Sequence, residues 1–102
     1  MDLPLASPPA LLFIEGELTL RRACELKERL LARLARAQVL EVDLADVTAI
    51  DSAGLQLLLM VRREARASGR EVRLVSPSPA VLSMFSLLRM ESSLEGCSHE
   101  PG

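Results

Sequence analysis

The stretch IDSAGL, residues 50–55, joins an apolar, strand-like run to a long helical pattern. A hydroxyl at this junction lies where a helix N-terminus presents free N–H groups and the positive end of its dipole. Ser and Asp are common helix caps, so one interpretation is that Asp51 or Ser52 simply caps the helix. The other is that Ser52 is a phosphorylation site, since a helix N-terminus tolerates negative charge. Gly54 would then keep the approach to Ser52 clear of a side chain.

The helix that follows is predicted over residues 52–68 and is amphipathic. Gly69 suits the left-handed position that often follows a helix. At about 100° per residue, the side assigned to the core carries Gly54, Leu57, Leu58, Val61 and Ala65. The opposite side carries Ser52, Gln56, Leu59, Met60 and Arg63. This side combines a serine with two large apolar residues, so Gln56, Leu59, Met60 and Arg63 are predicted to form a partner-binding face.

The sequence before this helix predicts a strand, a helix and a second strand. Residues 10–14 predict a short strand that ends in a turn at residues 15–17. Thr19 is expected to cap an amphipathic helix of roughly five turns. Its apolar positions are Ala23, Leu26, Leu30, Leu34 and Ala37. Residues 39–44 alternate like a strand with one buried face, and residues 46–50 are a loop or a short second strand.

The chain after this helix supplies further elements. Residues 72–75 predict a strand, Pro77-Ser78-Pro79 a turn, and Pro79 the first turn of a helix that runs to about residue 88. Leu94 is assigned to a last short strand. Residues 1–9 are expected to be a flexible lead-in and residues 96–102 a flexible tail around one domain at residues 10–95. Strands alternating with helices predict an α/β domain with a small, at least partly parallel sheet.

Composition narrows the possible functions. Aromatic residues make up 2% of the chain and its formal net charge is −2, so direct nucleic-acid binding has little support from stacking or electrostatics. The longest apolar run, residues 57–61, is far too short to insert into a membrane. Cys24 and Cys97 lie far apart and no signal peptide is evident, which indicates free thiols in a reducing compartment. These features predict a cytoplasmic protein.

The polar residues give little support for catalysis or metal binding. Asp43, Asp46 and Asp51 could gather at one end of the sheet around a cation, but roles in loops and caps are favoured. Ser52 has no credible general base, because the only histidine, His99, lies in the C-terminal tail. His99 beside Cys97 lacks the further ligands that zinc needs. We therefore predict no enzyme, no metal and no cofactor.

Three stretches, residues 41–47, 51–55 and 69–75, together resemble the STAS domain. This domain is shared by sulfate transporters and bacterial anti-sigma-factor antagonists, and the elements follow its order from about residue 10 to residue 94. The resemblance implies a mixed or parallel sheet of four to five strands with helices mainly on one face. It also implies that an anti-sigma kinase phosphorylates a serine at the start of the second helix, where Ser52 is the matching position. Asp51, Ala53 and Gly54 would shape the turn; sporulation-type antagonists often carry a second hydroxyl residue in place of Ala53.

The resemblance leaves more than one function open. The first hypothesis is an anti-sigma-factor antagonist or related bacterial phosphoprotein in signal transduction and transcription regulation. It would bind an anti-sigma factor, a serine kinase or another signalling protein, and phosphorylation of Ser52 would end that binding. The alternative is the STAS subunit of a phospholipid-asymmetry ABC transporter, bound to the ATPase subunit, or a chemotaxis-associated STAS regulator. In those cases Ser52 would be only a helix cap. A homodimer is also left open.

Overall fold

A computed structural model of the protein describes residues 8–90 and residue 94. Most of the expected lead-in and all of the expected tail lie outside the described residues. The elements run in the order β1 (Ala10–Leu18), α1 (Ala23–Leu34), β2 (Val39–Ile50), α2 (Ser52–Ala67), β3 (Glu71–Val75) and α3 (Pro79–Leu87). A single 3-10 turn, Leu20–Arg22, connects β1 to α1.

The three strands form one sheet in the order β1-β2-β3, and both neighbouring pairs are parallel. In register, Leu12 lies beside Val42, and Val42 lies beside Leu74. These three side chains are buried and point to one face of the sheet, where the helices pack. On the other face Leu11 and Phe13 are exposed. The predicted α/β architecture, with a parallel sheet and helices mainly on one face, is confirmed.

One hydrophobic core joins this covered face of the sheet to all three helices. All five residues assigned to the core side of α2 are buried: Gly54, Leu57, Leu58, Val61 and Ala65. Of the five apolar positions predicted for α1, Leu26, Leu30 and Leu34 are buried, whereas Ala23 and Ala37 are half-buried. Phe85 of α3 is fully buried against the same cluster. The helical periodicity therefore identifies the core-facing stripes.

The first two strands are longer than predicted. β1 does not end at residue 14; it continues through the expected turn to Leu18, with register shifts between Phe13 and Glu15 and between Gly16 and Glu17. Gly16 has a φ of +81°, which a glycine adopts without steric cost, so the irregularity stays within the strand. Residues 39–50 form one strand, because the second half of β2 pairs with the extended part of β1.

The first helix is shorter than predicted. α1 begins at Ala23 and has 12 residues, about three turns rather than five. Thr19 precedes the 3-10 turn and makes no side-chain cap hydrogen bond. Instead, the Thr19 hydroxyl lies 3.5 Å from a carboxylate oxygen of Glu17. The 3-10 turn takes up the residues that the periodic pattern had assigned to the start of the helix.

The sheet has three strands within residues 8–90, not the four to five expected. Leu94 is buried in the core but is not in a strand. β3 ends at Val75, which lies beside Asp43, so the second half of β2 continues past it. There α3 packs against β2, and the Ser78 N–H donates to the Leu44 carbonyl at 3.1 Å. α3 therefore lies beside the second half of β2, beyond the end of β3.

Candidate functional site at the start of helix α2

Asp51 is the N-cap of α2 and ties the helix to the end of β1. One carboxylate oxygen accepts a hydrogen bond from the Gly54 N–H at 2.9 Å, and the other accepts from the Leu20 N–H at 3.1 Å. The Asp51 N–H lies 3.4 Å from the Leu18 carbonyl. The hydrogen bonds from Gly54 and then Leu20 stabilise the ionised carboxylate and hold the pKa of Asp51 below its ordinary value, although partial desolvation opposes them.

Ser52 is the first residue of α2, and its side chain is exposed. Its hydroxyl makes no hydrogen bond to any residue in the described part of the chain. The cap of α2 is therefore Asp51, one of the two residues expected to make it, and Ser52 does not have that role. The fold leaves the Ser52 hydroxyl available at the positive end of the helix dipole.

Gly54 brings the first turn of α2 into backbone contact with β1. A Cβ atom on Gly54 would lie 2.0 Å from the Leu18 carbonyl oxygen, a distance that real Cβ atoms do not reach. Gly54 is buried and faces the end of β1, so it does not serve to keep the approach to Ser52 open. Ala53, between the free serine and this glycine, is half-buried. The glycine fixes the position of the helix start, and with it the position of Ser52.

The structure places the predicted partner-binding face on the surface of α2. Gln56 and Arg63 are exposed, as expected for a docking surface. Leu59 and Met60 are half-buried and pack against the edge of the core. They therefore present only part of their apolar surface to a partner. With Ser52, these four residues form one continuous outer stripe along the first three turns of the helix, at 3.6 residues per turn.

Two apolar features beside the site were missed in the sequence. Leu20, whose N–H is bound by Asp51, is 71% exposed. A groove of about 350 Å³ lies directly before Asp51, lined by Ala49, Ile50, Ala80, Ser83, Met84 and Leu87. The signal for the groove was available, because residues 76–88 contain no charged side chain although they include a helix. The sequence contains no comparable signal for Leu20, because only the fold brings Leu20 next to Asp51.

The structure does not gather the other polar candidates into a site. Within residues 8–90 and at residue 94, no cluster of three or more His, Cys, Asp or Glu side chains is arranged to hold a metal ion. Asp43 accepts a hydrogen bond from the Ala45 N–H at 2.9 Å, and Asp51 is engaged as the cap. Cys24 is an exposed free thiol, whereas Cys97 and His99 lie outside the described residues. Over the same described residues, no helix combines the length and apolar character needed to cross a membrane.

This geometry defines a class of small α/β domain with a parallel sheet. In it, the polar residues Asp51 and Ser52 lie where the central strand β2 meets the next helix, α2. Residues 2–95 match the family profile described as "Mlab, STAS domain". The chain therefore belongs to the STAS domain family, as its sequence motifs suggested.

Solved structures of the same fold include anti-sigma factor antagonists. SpoIIAA, the anti-sigma factor antagonist in its unphosphorylated form, is 19% identical with a TM-score of 0.70, covering 91% of this chain and 84% of its own. TM1081 of Thermotoga maritima, assigned as an anti-sigma factor antagonist, is 26% identical in its crystal structure with a TM-score of 0.71, covering 82% and 74%. Its NMR structure gives 24% identity and a TM-score of 0.68, covering 83% and 70%. Among curated proteins, no match was found.

Proposed function

We propose that this protein is a cytoplasmic interaction switch, in which a protein partner binds the outer stripe of α2 and phosphorylation of Ser52 ends that binding. The observation that carries the proposal is that different residues make the cap and present a hydroxyl at the start of α2. Asp51 makes the cap, and the exposed Ser52 hydroxyl is not bonded within the described chain. A modification at Ser52 therefore changes the surface without removing a contact on which the helix depends.

The local electrostatics suit such a switch. A phosphate on Ser52 would lie at the first position of α2, where free N–H groups and the helix dipole favour negative charge. It would add nearly two negative charges beside the already ionised Asp51. The fold tolerates this change, whereas a partner seated on Gln56 and Met60 would meet new charge and bulk at the edge of its contact. Repulsion and steric exclusion then release the partner.

The proposed partner is an anti-sigma factor, a serine kinase or another signalling protein. Likeness to the anti-sigma factor antagonists supports this class, and TM1081 is 26% identical to this chain. The proposed activity is binding without catalysis, with no nucleic acid and no membrane insertion. The half-buried Leu59 and Met60 would contribute apolar contact, and the exposed Gln56 and Arg63 would contribute polar contacts at its border.

A second candidate function is favoured by the family profile, whose description names Mlab. In this role the chain is a permanent STAS subunit that binds the ATPase of a phospholipid-asymmetry ABC transporter. The same stripe of α2 would be the interface, but the free Ser52 hydroxyl would be a contact atom and not a regulated one. The two candidates therefore differ in whether a phosphate is ever added to Ser52.

The proposal is tested by affinity purification of the full chain from native cells, with wild type and Ser52→Asp as baits and partners identified by mass spectrometry. The control is Ala67→Asp, which adds the same charge at the exposed far end of α2, about 22 Å along the helix axis. We expect a signalling ATPase or kinase to bind wild type and Ala67→Asp, and to be lost with Ser52→Asp. A phosphoserine at position 52 in the purified wild type would support Ser52 as the site of phosphorylation.

Three results would count against the switch. Transporter subunits that bind all three baits would favour the second candidate. A signalling partner that stays bound to Ser52→Asp would place the interface elsewhere on the domain. A third result would be phosphorylation at a residue other than Ser52. It is tested by incubation of the captured kinase with wild type and Ser52→Ala, because equal incorporation of phosphate into both proteins excludes Ser52 as the acceptor.

A further inference from the structure

The outer edge of β1 is occupied by arginine side chains. Among the described strands β1 lies at one edge of the sheet, with β2 on its other side. The guanidinium of Arg33 donates to the Leu11 carbonyl at 2.6 Å, and that of Arg29 donates to the Phe13 carbonyl at 3.3 Å.

Arg22 continues the row along the second half of the strand. It donates to the Glu15 carbonyl at 2.6 Å and to the Glu17 carbonyl at 2.9 Å. The four accepting carbonyls thus belong to alternate residues, and in an extended strand alternate carbonyls point to the same side. Three arginines therefore occupy the row of acceptors with which another strand would pair.

The strand is also shaped to receive these side chains. A Cβ atom on Gly16 would lie 3.3 Å from the Arg22 guanidinium, so the glycine leaves room for the arginine to reach both carbonyls. Arg22, Arg29 and Arg33 lie at the start of α1 or along it. The helix that covers one face of the sheet thus also closes its edge. None of these contacts involves Ser52 or the stripe on α2.

The two halves of this edge differ in what else protects them. Around Glu15 and Glu17 the strand carries two exposed carboxylates and two register shifts, which already disfavour regular pairing. At Leu11 and Phe13 the strand is regular, and its outward side chains are apolar, 41% and 52% exposed. A regular, apolar edge is a site for strand addition, and Arg29 and Arg33 are the groups that occupy its acceptors.

We propose that the arginine row of Arg22, Arg29 and Arg33 keeps the edge of β1 from pairing with the same strand of a second copy of this chain. With Arg29 and Arg33 removed, two β1 strands would add edge to edge, and their Leu11 and Phe13 side chains would form one apolar surface. The row is thus a built-in block against self-association through the sheet. The row uses no residue of α2, so the outer stripe of that helix stays free for a partner.

The test uses the full chain and the double variant Arg29→Ala/Arg33→Ala, with wild type and Arg36→Ala as controls. Arg36 is exposed just beyond α1, and its side chain makes no hydrogen bond within the described residues. Sedimentation velocity and light scattering give the average mass over a range of concentrations. We expect the double variant to exceed wild type at equal concentration, with a mass that increases by up to twofold as concentration increases. Arg36→Ala should match wild type. Equal masses for the double variant and wild type would overturn the proposal.

Two further measurements identify the surface that associates. Hydrogen exchange should show new protection at the Leu11 and Phe13 amides of the concentrated double variant. Addition of Phe13→Lys, which places a charge on the exposed edge strand, should return its mass to that of wild type. Association without this protection, or association that survives Phe13→Lys, would mean that another surface is responsible and would refute the block. Far-UV circular dichroism confirms that each variant is folded.

Discussion

The two helices that follow β2 and β3 begin with serines that have opposite environments. Ser78 is the buried N-cap of α3, where its hydroxyl accepts a hydrogen bond from the Val81 N–H at 3.2 Å. Ser52 lies one position later in its own helix, because Asp51 takes the cap, and its hydroxyl is exposed. The same residue type is therefore structural at α3 and available for recognition at α2. The preceding residue makes the difference.

The two helix starts also differ in how they are held against the sheet. In each, the N–H that binds the cap belongs to the residue three positions later, Gly54 in α2 and Val81 in α3. Val81 anchors α3 with a fully buried side chain. Gly54 anchors α2 by direct backbone approach to Leu18, which leaves no space for a side chain. The start of α2 is fixed by backbone geometry, which suits the proposed role of Ser52 in partner binding.

Among the substitutions at the two helix starts, Gly54→Ala is expected to lower the free energy of unfolding the most. The added Cβ would overlap the Leu18 carbonyl, so α2 must shift away from β1, and we expect a loss of about 3 kcal/mol of unfolding free energy. Gly69→Ala is the control, since Gly69 has a φ of +74° and no atom within 4 Å of an added Cβ. Its left-handed backbone should cost only about 1–2 kcal/mol. Urea denaturation measures both losses, and equal losses would show that the close approach at Gly54 is not rigid.

A smaller effect, and the most direct test of the two serines, comes from replacing each with alanine. Ser78→Ala removes a buried cap and should cost about 1 kcal/mol of unfolding free energy. Ser52→Ala removes a hydroxyl that has no partner in the described chain, so the change should stay within about 0.5 kcal/mol. Chemical denaturation of the two variants at neutral pH gives the comparison. If Ser52→Ala cost as much as Ser78→Ala, Ser52 would have a structural role that the geometry does not give it.

The sequence predicted the elements whose signals are local. α2 was expected over residues 52–68 and is found at Ser52–Ala67, because its apolar spacing and Gly69 both lie within the segment. β3 and α3 were placed within one residue of their observed bounds for the same reason. The face of α2 that enters the core followed from helical periodicity alone. These patterns depend on neighbours a few residues apart.

The features that were wrong depend on residues far apart in the chain. Both Asp51 and Ser52 are suitable caps by residue type. Asp51 also accepts a hydrogen bond from the Leu20 N–H, 31 positions away, and this contact is not visible in the local sequence. Glu15-Gly16-Glu17 has the composition of a turn, but pairing with β2 and the bonds from Arg22 keep it in β1. Local chemistry therefore singled out the start of α2 as the candidate site, while long-range contacts determine which of its residues makes the cap.

Asp51→Asn tests how the charge of the cap at α2 contributes to the stability of the fold across pH. Asparagine is a good N-cap, but its side chain has a single acceptor oxygen. The variant can keep the hydrogen bond from the Gly54 N–H, and it loses both the charge and the acceptor for the Leu20 N–H. The backbone N–H groups of Gly54 and Leu20 hold the pKa of Asp51 below its ordinary value, so its ionised form stabilises the folded state. That contribution is fully present above the pKa of the unfolded chain, about 3.9, and is lost as the pH falls through the lower pKa of the folded state.

Wild type should therefore be more stable than Asp51→Asn at neutral pH, and the difference should shrink as the pH falls through the lowered pKa of Asp51. Other carboxylates titrate in both proteins, so the difference between the two urea midpoints is the quantity to measure, from pH 7 down to pH 2. Ser78→Ala is the matched control, because a hydroxyl cap has no charge to lose, and its difference from wild type should not follow the same course. A difference for Asp51→Asn that stays constant to low pH would show that the cap acts through hydrogen-bond geometry alone. The charge of Asp51 would then contribute nothing to the difference in stability between the two helix caps.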